Sequence, residues 1–165
     1  MRNSIIILGT LQDGGYPQPA CPLLCCKEVM DIKRFISCIS IVDKSNNKFW
    51  LIDITPDFRR QVSLLNNHIE KIIPDGIFIT HAHSGHYTGL LELGKEVMNV
   101  SDLPVYVMPK MKSFLENNSP WKQLVYQKNI KLVEMKNNIS ISLDSNTTIS
   151  PFLVPHRSEI SETVG

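Results

Sequence analysis

Apolar positions along the chain come in short blocks, and their spacing assigns most elements. Ser4 to Leu8, with the continuous apolar run Ile5 to Leu8 ended by Gly9, has the pattern of a buried strand. A Gly- and Pro-rich stretch follows from Gly9 to about Cys25, containing Gly14-Gly15, Pro17, Pro19 and Pro22. A loop of this length inside a compact domain is usually functional. Ser37 to Val42 and Phe49 to Ile52 are two further strand-like runs, joined by the polar hairpin segment Asp43 to Lys48. Thr55-Pro56-Asp57 then reads as an N-cap, a first-turn proline and a first-turn acid, predicting a helix to about Asn66.

Gly76-Ile77-Phe78-Ile79 predicts a short buried strand, and a helix is expected from about Thr88 to Met98. Pro104 to Met108 reads as a strand and Pro109 to about Glu116 as a helix. Strand-like runs then recur at Ile130 to Val133, Ile139 to Leu143 and Thr147 to Val154. Strands and helices mixed in this way predict an α/β layered protein.

The 165 residues are enough for one domain with its own core. Apolar residues at 42% and charged residues at 20% exclude collagen, coiled coil and wholesale disorder. Seventeen basic and sixteen acidic side chains leave a net charge of +1, which gives no field that implies nucleic acid or an anionic membrane surface. The first apolar run is too short for a secretory signal, and no stretch has the length to cross a bilayer. A soluble, cytoplasmic protein acting on a small molecule is expected, with a homodimer left open.

Three of the five histidines, His81, His83 and His86, follow the buried strand at 76–79 within six positions. Residues two apart at an extended strand end project to one side, so His81 and His83 can converge on one point. Gly85 lets the chain turn before His86. Neutral imidazoles bind zinc at about 2.0–2.1 Å, and this spacing favours a metal site over ordinary loop histidines. His156 stands where the apolar run Phe152-Leu153-Val154 meets Pro155, a second strand end from which a ring can join the first three. His68 lies in a polar stretch and reads as solvated.

Thr80-His81-Ala82-His83-Ser84-Gly85-His86-Tyr87-Thr88-Gly89-Leu90 resembles the His-x-His-x-Asp-His motif of metallo-β-lactamase-fold hydrolases. The resemblance extends to Leu8 through Gln18, Leu51 through Asp57, Pro155 through Glu159 and Ser161 through Gly165, and is nearest the branch that includes pyrroloquinoline quinone (PQQ) biosynthesis protein B. It implies a four-layer αββα sandwich, with His81, His83 and His156 binding a first metal whose fourth position stays open, as in catalytic zinc sites. His86 would face a second metal or act as a hydrogen-bond partner. Asp53 would be the aspartate that orients the histidine loop, alongside its reading as a helix-entry residue. His81, His83, His86 and Asp53 are thus the expected catalytic set. Zinc, as one or two ions, is the expected metal, with iron or manganese as alternatives.

Two departures qualify the resemblance. Gly85 replaces the motif aspartate, a ligand of the second metal, so a mononuclear site is expected. The bridging aspartate and last histidine of the fold come from its second half. Residues 1–165 are therefore expected to be a single domain holding the N-terminal half and the start of the second, either a fragment or a shortened, inactive version. A half-sandwich that is not a folded unit would expose an apolar sheet face and aggregate.

Cys21, Cys25 and Cys26 follow the glycine loop. Cys21 and Cys25 have a spacing used in zinc sites, and the PQQ-related branch often carries a cysteine cluster here, so a structural zinc stands against simple buried thiols. Cys38 reads as a core residue. Asp13-Gly14-Gly15 offers a backbone nest for an anion, with Asp13 either a turn residue or a catalytic one. Glu159 and Glu162 can reach the metal edge, although solvated loop carboxylates are commoner. Two functions follow: a metal-dependent hydrolase using a metal-activated water, or a non-hydrolytic accessory or carrier protein of cofactor biosynthesis.

Overall fold

Alternation in the run Cys38-Ile39-Ser40-Ile41-Val42 decides how the sheet is covered. The computed structural model describes residues 3–27 and 34–165. Among them a six-stranded sheet runs in sequence order: β1 (Ser4–Gly9), β2 (Cys38–Asp43), β3 (Lys48–Ile52), β4 (Gly76–Phe78), β5 (Leu103–Val107) and β6 (Ile130–Glu134). The first three strands are antiparallel neighbours, and β3 through β6 are parallel. The parallel pairs have helical crossovers, as parallel connections require.

Because side chains alternate across a strand, each central strand feeds two cores. Cys38, Val42, Phe49, Leu51, Ile77, Val105 and Val107 point to one side and are buried there with Phe58, Leu65, Leu90, Leu93, Met111, Leu115 and Leu124 from the helical layer. Trp50, Phe78, Met108, Met135 and Val164 form a second core on the opposite side. A hairpin of β7 (Ile141–Ser142) and β8 (Thr148–Ile149) supplies Ile141, Leu143 and Ile149 to that side. Phe78 and Tyr106 stack there, with ring centroids 4.3 Å apart. The strand expected to be buried at Ser4 to Leu8 is instead an edge strand: among the described residues β1 is paired on one side only, Leu8 is buried, and Ile5 and Ile7 are exposed.

The helices are α1 (Leu24–Lys27), α2 (Phe58–Leu64), α3 (Ser84–Tyr87), α4 (Pro109–Asn117) and α5 (Trp121–Tyr126), with 3₁₀ segments at Leu65–Asn67 and Thr88–Leu93. Several boundaries differ from the sequence expectation. Thr55 does not cap the first long helix: its hydroxyl accepts from the Asp57 amide at 3.0 Å and donates to Gln61 Oε1 at 2.7 Å. That turn delays α2 to Phe58. The expected helix from Thr88 to Met98 begins instead at Ser84 and tightens to 3₁₀ geometry, in which the buried Leu90 and Leu93, three apart, share a face. Gly89 fits because a Cβ there would run into the Thr55 carbonyl. The helix α5 has no counterpart in the sequence reading. Its Trp121 packs with Tyr87 and Phe114 at centroid distances of 5.1 and 5.6 Å. The expected strand from Thr147 to Val154 reduces to β8 and a bridge between Leu153 and Val164. No helix among the described residues is long and apolar enough to cross a membrane.

Candidate metal centre

The histidines lie where the C-terminal end of β4 leaves the sheet. Backbone bonds hold the neighbouring segments against this edge: Asp53 N to Phe78 O at 2.8 Å, Ile54 N to His86 O at 2.9 Å and Val164 N to Thr80 O at 3.1 Å. Residues 152–154 and 163–165 pair with each other, Val154 N donating to Thr163 O at 3.1 Å and Gly165 N to Phe152 O at 2.9 Å. The intervening loop carries His156 back over the β4 end. Ser161 Oγ accepts from the Ala82 amide at 2.9 Å and fixes that loop to the histidine segment. Glu162, considered as a group at the metal edge, instead accepts from Lys110 N at 3.0 Å in the first turn of α4, where a carboxylate complements the helix dipole. Glu159 pairs with Arg157 at 3.2 Å.

One nitrogen from each of His81, His83 and His156 lies within 4.8 Å of the other two. His81 is buried, His83 half-buried and His156 exposed, so the cluster opens to solvent on one side. His156 Nε2 is 3.4 Å from His83 Nδ1. His81 and His86 have ring centroids 4.2 Å apart. His68 follows the 3₁₀ segment at 65–67, is half-buried, and stands outside the cluster.

Asp53 organises the group. It sits at the end of β3 with φ 67°, a left-handed conformation that an aspartate tolerates better than most residues. Its buried carboxylate accepts from Thr80 N at 2.8 Å, from Thr80 Oγ1 at 2.9 and 3.0 Å, and from His86 Nδ1 at 2.6 Å. These bonds compensate the cost of burying the charge. They also fix a tautomer. An ionised carboxylate only accepts, so the Thr80 hydroxyl proton points to Asp53. Thr80 Oγ1 must then accept from His81 Nδ1, 2.9 Å away. The remaining nitrogen, His81 Nε2, therefore carries a lone pair, and it is buried without a hydrogen-bond partner. A buried lone pair facing two other imidazoles is what a metal requires of its ligand.

Electrostatics agree with that assignment. Burial, reinforced by the neighbouring His86, His83 and His156, lowers the His81 pKa to about 4. The ring is neutral at physiological pH. Burial also pulls on His86, but the hydrogen bond and charge of Asp53, joined by Asp13, more than offset it and raise its pKa.

The cysteines do not join this site. Cys21 and Cys26 are half-buried, Cys25 is exposed, and all are free; among the described residues, no cysteines form a group with metal-ligand spacing. Cys25 and Cys26 lie in the single turn α1. The glycine loop does not present an open nest either. Gly14 N donates to Gln12 Oε1 and Gly15 N to Gln12 O, both at 2.9 Å, so these amides are already occupied. Asp13, which the sequence leaves as either a turn or a catalytic residue, stands against His86 and His83. Loop sequence has no periodicity, so only the fold could reveal that approach.

Residues 50–165 match a family model described as a beta-lactamase superfamily domain. A solved structure described as a new diphosphatase from the PhnP family has a TM-score of 0.72 at 25% identity, covering 100% of this chain and 61% of that one. Zn²⁺-bound PqqB from Methylobacterium extorquens has a TM-score of 0.75 at 20% identity, over 93% of this chain and 56% of its own, a likeness of fold. An octanoyltransferase from Porphyromonas gingivalis is 26% identical over 159 residues, which are 92% of this chain and 30% of that protein. The chain thus spans less than two thirds of each of these relatives.

Proposed function

Because the chain belongs to the beta-lactamase superfamily and has the metallo-β-lactamase fold, we propose that it is a metal-dependent hydrolase. In this reading His81, His83 and His156 hold one ion, zinc first and iron or manganese as alternatives. The observation that carries it is the buried, unpartnered Nε2 of His81 facing two further imidazoles. When bound, such an ion supplies Lewis-acid charge and acidifies a coordinated water toward neutrality.

The chain's own residues do the positioning. Asp53 and Thr80 hold the His81 ring in one tautomer, and Asp53 also orients His86. The Ser161–Ala82 bond keeps the His156 loop in register with the histidine segment. Two depressions flank the cluster. One of about 190 Å³ is lined by His83, Arg157, Glu159 and Ser161, and one of about 410 Å³ by Lys110, His156, Ser158 and Glu162. Each depression sets a basic residue beside an acidic one, Arg157 with Glu159 and Lys110 with Glu162, and the likeness to a diphosphatase makes phosphate esters the first class to test.

Metal analysis after metal-replete expression tests the reading. At least one equivalent of ion is expected in the wild type, and less than half an equivalent would reject the site. A screen on phosphodiesters and carboxylic esters, with H81A as control, then addresses turnover. The absence of a side-chain ligand at Gly85 favours a second reading, a non-hydrolytic accessory role in cofactor biosynthesis. Metal-loaded protein without any H81A-sensitive turnover would select it.

A further inference from the structure

Gly85 occupies the motif position where a carboxylate is expected, yet a carboxylate fills that place from elsewhere in the chain. Asp13 Oδ1 lies 2.8 Å from His86 Nε2, and Asp13 Oδ2 lies 3.4 Å from His83 Nδ1. A Cβ built on Gly85 would stand 2.7 Å from Asp13 Oδ1 and 2.9 Å from Asp13 Cα. The space that a side chain at 85 would enter already belongs to Asp13. Gly85 lies within the right-handed turn α3, a conformation open to any L-residue, so the demand for glycine comes from this approach and not from its backbone angles.

The loop that presents Asp13 is fastened at several points. Thr10 N and Leu11 N donate to Phe35 O at 2.9 and 3.0 Å, and Leu11 bridges Ile36. Ile36 is tied to α2 and the residue before it: its amide donates to Asp57 Oδ2 at 3.0 Å, and its carbonyl accepts from Gln61 Nε2 at 2.6 Å. On the other side, Asp53 accepts a hydrogen bond from His86 Nδ1 at 2.6 Å, which turns Nε2 toward Asp13. A ring nitrogen and a carboxylate oxygen facing each other need either a proton or a cation between them.

We propose that Asp13 and His86 Nε2 are ligands of a second metal ion beside the His81–His83–His156 site, with Asp13 supplying from the N-terminal loop the carboxylate that Gly85 cannot. A carboxylate and an imidazole form a donor set suited to zinc, manganese or iron. The inference rests on the hydrolase reading for the neighbouring ion and replaces the expectation of a mononuclear site. It also accounts for the Gly85 departure as one half of a paired exchange.

Calorimetric titration of Zn²⁺ into the metal-free full chain tests it through stoichiometry, without reference to activity. Two equivalents are expected for the wild type. D13N should lose the second equivalent or bind it at least tenfold more weakly while keeping the first. The exchange D13G/G85D, which returns the carboxylate to the motif position and vacates the space it needs, should restore two. This second background keeps the test decisive if D13N alone disturbs the loop. Two undiminished equivalents in D13N would overturn the proposal. One equivalent in both wild type and D13N would overturn it too, leaving the first site intact, whereas no binding in the wild type would remove both.

Discussion

The Thr80 hydroxyl stands 2.9 Å from His81 Nδ1 while donating its proton to Asp53, so one side chain converts a buried carboxylate into a fixed imidazole tautomer. Partners of this kind orient a ligand and raise its basicity, and losing one typically costs about 10–100-fold in metal affinity. T80V, which keeps the shape and removes the hydroxyl, should weaken zinc binding at the first site by about that factor. T80S should restore it. Competition with a chromophoric chelator reads both, and wild-type affinity in T80V would refute the relay.

Asp53 should matter to folding as well as to the site. D53N retains a residue that accepts a left-handed conformation, so it isolates the carboxylate from the backbone. Its amide can accept only through one oxygen, leaving either the Thr80 pair or His86 Nδ1 poorly matched. An unsatisfied buried group costs about 1–3 kcal/mol. Urea denaturation should show an unfolding free energy lower by about that amount, read as a lower midpoint with an unchanged slope.

Cys38 provides a pH prediction. Its buried Sγ donates to Asp53 O at 3.4 Å, and burial together with the Asp53 charge raises the thiol pKa well above its ordinary value of 9.0. An acid with a raised folded-state pKa keeps its full stabilising contribution below the unfolded value and loses it as pH climbs above that value. Thermal stability should therefore decline above about pH 9, and C38A should flatten that decline. In the native chain at pH 8, iodoacetamide should label the exposed Cys25 and spare Cys38. Equal labelling of the two would contradict the assignment.

The centre and the edge of the sheet should respond differently to truncation. Ile77 is fully buried in the helical-side core, so I77A should cost about 2–5 kcal/mol. Ile7 on β1 is 66% exposed, and I7A should stay within about 0.5 kcal/mol. Chemical denaturation of the two variants checks the difference.

Local patterns revealed what local physics decides. Alternation in Cys38–Asp43 and the apolar block at 76–79 specify strands whatever surrounds them, and the structure places strands at both. The His81 and His83 spacing also shows a converging pair directly in sequence. His156 reaches that pair only through the Leu153–Val164 bridge and the Ser161 anchor, contacts between residues far apart in the chain. The helix at Trp121–Tyr126 has no local signal because its stabilising partners, Tyr87 and Phe114, belong to other segments. Thr55 was misleading for the opposite reason. Its pattern fits a helix cap, but Gln61 competes for the hydroxyl and draws it into a turn. The glycines after Asp13 mark a turn and leave its role open between turn and catalysis; its approach to His83 and His86 shows only in the fold, where it fills the space a Cβ at Gly85 would enter.

X-ray absorption at the zinc edge, on the chain carrying a single equivalent of zinc, tests the central claim most directly. Three imidazole nitrogens at about 2.0–2.1 Å are predicted for the wild type, with one imidazole fewer in H156A and no change in H68A. A zinc shell that is the same in H156A as in the wild type, or one dominated by sulfur from Cys21, Cys25 and Cys26, would contradict it.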